Sequence, residues 1–142
     1  MTQNYGGTFA HKLFEQGKFE EAVAEATRAI ERDADDPEPL VDRANALASL
    51  GRHAEAAHDL EAALVLDQEE QMLETDFVDD ALFSALLGDA RAMSDIGKAV
   101  TRLHHYRSVL PTGKHSADVD VWTRRLRGEG RDEVIVKEYE GS

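Results

Sequence analysis

The sequence predicts an all-α fold: a solenoid of antiparallel helix pairs, closed by a capping helix and followed by an extended tail. Three observations predict it. The 142 residues include only three prolines and are rich in alanine and other helix formers. The chain resembles itself at a spacing of 34 residues, the separation of Gly17 and Gly51. Between glycine and proline stops, apolar residues recur at helical spacing.

The first unit is expected over residues 3–36. It holds a helix with Ala10 and Leu13, a turn at Gln16-Gly17-Lys18, and a return helix through Glu21, Ala22, Ala29 and Ile30. The second unit, residues 37–70, repeats those positions as Ala44, Leu47, Gly51, Glu55, Ala56, Ala63 and Leu64. Asp35-Asp36 before Pro37 and Pro39 reads as an N-cap followed by proline in a first turn. From Leu40 to Leu50 the apolar residues keep helical spacing until Gly51, a helix stop. Residues from Ala54 to Leu66 read as the return helix. Alanines at Ala22, Ala56 and Ala63 allow helix axes to approach closely.

A third, degenerate unit is expected over 74–107. Phe77-Val78-Asp79 matches Leu40-Val41-Asp42, and Leu87-Gly88 matches Leu50-Gly51, which places a turn at Gly88. Further on, Asp95-Ile96 pairs with Asp59-Leu60. Pro111, Gly113 and Lys114 make a loop. Ser116 is the expected N-cap of a capping helix over 116–127, with Val119 and Trp122 facing inward. Residues 128–142 form a tail in which Glu133 to Tyr139 is β-prone. Residues 1–127 are thus read as one domain.

The 34-residue period, the helix–Gly–helix layout and the small residues at helix crossings resemble the tetratricopeptide repeat (TPR) family over roughly residues 3–107. The chain departs from the family pattern where Gly6 and Leu40 replace an aromatic, where His53 stands opposite Phe19, and where Ala34 and Gln68 replace a closing proline. The resemblance implies a protein-binding module whose partner peptide or helix lies along the first helices of the units. Carried over position by position, that surface comprises His11, Phe14, Val41, Asn45, Ala48, Ser49, Val78, Leu82 and Ala85. One TPR subfamily clamps acidic peptide ends with Lys, Asn and Arg. Those positions are Gly7, His11 and Asp42 here, and only Asn45 keeps any of that character. The expected ligand is therefore apolar, neutral or basic.

Charge and chemistry narrow the function further. The net charge is −13, and residues 1–80 carry six basic and twenty acidic side chains. That balance opposes nucleic acid and anionic membranes. There is no cysteine, hence no disulfide framework or thiolate chemistry. No apolar run reaches membrane-spanning length, and the N-terminus lacks a signal-peptide pattern, so a cytoplasmic protein is expected.

No enzyme signature stands out. His53 with His58 and His104 with His105 lie five and one apart, poor spacings for ligands on one helix face. The carboxylates run in clusters that suit solvated helix faces and helix starts. HExxH, P-loop and G-x-S-x-G patterns are absent. Arg124, Arg125, Arg127 and Arg131 beside Trp122 read either as a phosphate-gripping cluster or as a helix C-terminus decorated with cations, and the acidic whole favours the latter. The expectation is a scaffold or adaptor with no cofactor and no catalytic or metal-binding residues. The alternative is self-assembly, with the C-terminal segment docking on a neighbouring chain.

Overall fold

The computed structural model describes residues 8–68, 71 and 73–128. These residues form seven helices and no strand: α1 Phe9–Glu15, α2 Phe19–Arg32, α3 Glu38–Ser49, α4 His53–Leu66, α5 Thr75–Arg91, α6 Ile96–Val109 and α7 Ser116–Leu126. The chain divides into two compact units between Ala85 and Leu86, inside α5. The expected β-prone segment and Gly6 and Gly7 lie outside the described residues. No described helix is long and apolar enough to cross a membrane.

In the first unit the sequence repeat becomes a repeat of backbone geometry. Gly17 and Gly51 adopt φ of 79° and 80°. After α1, Gly17 N donates to Phe14 O at 2.9 Å and Lys18 N to Leu13 O at 2.9 Å. After α3, Gly51 N donates to Ala48 O at 3.0 Å and Arg52 N to Leu47 O at 2.9 Å. Each is a left-handed cap that satisfies orphan carbonyls, and glycine takes that conformation without a Cβ clash. The chain reverses there, so α1 packs on α2 and α3 on α4, while α2 and α1 both contact α3. Ala22, Ala26, Ala56 and Ala63 are fully buried, as close helix contact requires. Leu13, Ala22 and Ala46 form a core cluster, with Phe14, Phe19 and Val23 packed against it.

Polar groups join the helices as well. Thr8 caps α1 by accepting from His11 N at 3.0 Å, and its hydroxyl donates to Asp42 Oδ2 at 2.6 Å. Asp36 Oδ1 accepts from Glu38 N at 3.0 Å, a turn bond just ahead of α3; the N-cap position itself is Pro37, which has no side-chain cap bond, so the cap expected at Asp35-Asp36 is not formed. Arg43 grips Asp59 with two bonds, Nε to Oδ2 at 2.8 Å and Nη2 to Oδ1 at 2.9 Å. Its Nη1 donates to Thr27 Oγ1 at 3.1 Å, tying α2, α3 and α4 together.

The third helix pair departs from the expected register. Gly88 does not stop α5, which continues to Arg91. The turn instead occupies residues 92–95, and Asp95 caps α6 by accepting from Lys98 N at 3.0 Å. The apparent match of Gly88 to Gly51 failed because nothing downstream demands a reversal there: Ala90 is fully buried, so the helix gains by running on.

In the second unit α6 packs on α7. Its interior holds Leu103, Tyr106 and Val119, all fully buried. Ser116 is the first helical residue of α7 rather than its cap. Its hydroxyl accepts from Arg107 Nε at 3.1 Å, which takes it away from the helix end. His115 Nδ1 lies 2.8 Å from Asp118 Oδ2 across that first turn. Val119 is buried as expected, while Trp122 is half-buried beneath two guanidiniums, Arg125 at 4.2 Å and Arg91 at 5.1 Å from the ring centre.

Candidate binding groove

The nine residues expected to line a groove fall into two sets. Val41, Val78, Leu82 and Ala85 are buried, at 9%, 1%, 0% and 2% exposure. Within this chain they are core side chains. His11, Phe14, Asn45 and Ala48 are half-buried, and Ser49 is exposed. These five belong to α1 and α3, which touch each other. Asn45 and Ala48 follow His11 and Phe14 at the repeat spacing of 34, the same spacing that places Thr8 against Asp42. Equivalent positions of two packed, repeated helices present equivalent sides, so the five share one surface.

The α1 part of that surface is aromatic. The His11 ring stacks with Phe14, centroids 6.2 Å apart, and Phe14 tilts against Phe19 at 5.6 Å. Phe14 is thereby fixed from behind by core packing while part of it stays accessible. The α3 part is small and polar. Asn45 makes no side-chain hydrogen bond among the described residues, so its amide is available to a ligand.

The surface also has an acidic rim. His11 Nε2 is 3.1 Å from Glu15 Oε2. Glu38 and Asp42 lie within electrostatic reach of His11. Burial holds the Glu38 carboxyl above its ordinary range, and repulsion from Asp42 and Asp36 adds to it. Burial likewise raises Asp42, against the opposing hydrogen bond from Thr8. The position of Asp42 beside Thr8 is readable from the 34-residue offset. The involvement of Glu38 is not, because it depends on how α1 sits over the start of α3.

The histidines considered as metal ligands do not converge. His53 takes the place of Phe19 in the repeat, and its Nδ1 is buried without a partner. His58 is exposed on the wall of a surface cavity of about 420 Å³ that also borders Arg43 and Asp59. His104 bonds Thr123 at 2.9 Å. Among the described residues no three His, Cys, Asp or Glu side chains are placed to share a metal ion. Comparison with family models, with curated proteins and with solved structures returned no match.

Proposed function

We propose that this chain is a TPR-type protein-binding module, an adaptor or scaffold that holds a partner peptide or helix on the α1–α3 surface. The observation that carries this reading is the atomic repeat. Two consecutive helix pairs share the same turn hydrogen bonds and the same glycine φ, 34 residues apart. That architecture stacks first helices side by side and leaves their outer surface open to a ligand.

The chemistry of the surface supports a partner with apolar and basic side chains. Phe14 offers an aromatic anchor, Asn45 an uncommitted amide, and Glu15, Glu38 and Asp42 surround His11 with carboxylates. A cation arriving there relieves the mutual repulsion of the carboxylates. The reading makes the protein a binder without cofactor or catalytic residue, acting in the cytoplasm.

A paired capture experiment tests it. One bait is the intact protein; the other carries His11→Arg and Asn45→Arg, with helical content checked by circular dichroism. The expected result is a partner held by the intact bait and lost from the variant. A partner held equally by both places the binding surface elsewhere, and no partner with either bait removes the adaptor reading.

A further inference from the structure

We propose that the α6–α7 face carries a binding site for a phosphate monoester, gripped by Arg124 and Arg127 with His104 beside them. A surface cavity of about 580 Å³ lies there, bordered by Thr101 and His104 of α6, by Asp120, Thr123 and Arg124 of α7, and by Arg127 just after it. It lies wholly in the second unit, so the proposal stands independently of the α1–α3 groove.

Arg131 lies outside the described residues, and the four described arginines around this helix end divide into two kinds. Arg125 and Arg91 lie over the Trp122 ring, at 4.2 and 5.1 Å from its centre. Arg124 and Arg127 are exposed, and neither side chain has a hydrogen-bond or acid partner among the described residues. Among the described residues the one acid on the cavity rim, Asp120, is already held by Arg107 Nη2 at 2.9 Å. The helix dipole accounts for cations in a last turn. It does not account for two unpaired guanidiniums bordering one cavity with an imidazole and a hydroxyl.

Hydrogen-bond accounting assigns the state of the histidine. The one hydroxyl hydrogen of Thr123 goes to Val119 O at 2.7 Å. Thr123 Oγ1 must therefore accept from His104, whose Nε2 lies 2.9 Å away and carries the hydrogen.

The ligand class follows from charge and shape. Guanidiniums bind tetrahedral oxyanions through pairs of parallel N–H donors. A phosphate monoester carries a charge of about −1.5 to −2 at neutral pH, matching two unpaired arginines, whereas a carboxylate carries one charge. A nucleic acid would bring many phosphates to a chain of net charge −13, which opposes an extended polyanion. A single compact phosphate, on a peptide side chain or on a small metabolite, fits the site.

The test is a titration of the full-length, ¹⁵N-labelled protein at low salt. Four probes are compared: a phosphoserine peptide, the same peptide with glutamate at that position, a sugar monophosphate, and a short single-stranded RNA. Saturable binding of the monoesters is expected, with shifted signals clustered at Thr101, His104, Arg124 and Arg127. Arg124→Gln/Arg127→Gln should weaken it about tenfold or more. Arg124→Lys/Arg127→Lys, which keeps the charge but loses the fork, should weaken it less. Lys12→Gln/Lys18→Gln in the first unit should leave it unchanged. Tighter binding of the phosphopeptide assigns the phosphate to a protein partner, and tighter binding of the sugar phosphate assigns it to a metabolite. The proposal is overturned if the double Gln variant, with its helical content intact, binds as well as the parent. It is equally overturned if the glutamate peptide or the RNA binds as tightly as the monoesters, or if the intact chain shows no saturable binding.

Discussion

The turns after α1 and α3 and the turn between α6 and α7 each reverse the chain, by different chemistry. The first two rely on backbone alone: a glycine at positive φ and a pair of main-chain bonds, identical at both sites. A Cβ at either glycine would meet nothing within 4 Å, so the requirement there is purely conformational. The α6–α7 turn relies on side chains. Tyr106 is fully buried and its hydroxyl accepts from His115 N at 3.0 Å. Arg107 binds Ser116 and Asp120 across the same turn. Gly113 is needed for space, since an added Cβ would overlap Tyr106 Oη and come within 2.7 Å of its Cζ. A turn made of backbone can be copied from unit to unit; one made of particular side chains belongs to a single place.

Substitutions can break or sharpen this contrast, and the largest effect is expected where the repeated region departs from repetition. Arg43 and Asp59 have Phe9 and Glu25 at the equivalent positions of the first pair, so their paired hydrogen bonds have no copy there. Arg43→Met should cost about 3 kcal/mol, because the Asp59 carboxylate, 3% exposed, would be left charged and unpaired. Chemical denaturation measures it, and Arg43→Met with Asp59→Leu should recover much of the loss. A single variant as stable as the parent would mean that the pair does not lock α3 to α4.

Next comes Gly113→Ala, expected to cost about 2 kcal/mol through overpacking against a Tyr106 ring that has nowhere to move. Tyr106→Phe removes the worst overlap and should return part of that loss in the double variant, as read by the thermal midpoint. Gly17→Ala and Gly51→Ala should each cost about 1 kcal/mol, the strain of an L-residue in the left-handed region. Near-equality of the two is the point: unequal losses in denaturation would break the claim that the turns are copies.

The smallest effect should have the opposite sign. His53→Phe restores the aromatic found at Phe19 and removes a buried Nδ1 that has no partner. A gain of about 1 kcal/mol is expected from burying a satisfied apolar ring instead, visible as a raised thermal midpoint. A fall would show that His53 is not equivalent to Phe19 in its packing.

Much of this was legible in the residues. The helix pairs around Gly17 and Gly51 could be read because helical periodicity and the glycine cap are local rules, satisfied within a few residues. The candidate surface was half legible. The repeat spacing pointed to His11, Phe14, Asn45, Ala48 and Ser49, which are accessible, and equally to Val41, Val78, Leu82 and Ala85, which are buried. Periodicity assigns a side to a helix; it does not say whether another element covers that side.

By itself the sequence determined the helical character of the described residues and the two copied helix pairs with their glycine turns. Only the tertiary structure decided that α5 runs through Gly88, that Ser116 serves Arg107 instead of capping its helix, that Gly113 exists to make room for Tyr106, and that Arg124 and Arg127 have no partner among the described residues. Each of those depends on which side chains meet across helices, and the free energy of such contacts arises between positions that no local pattern links.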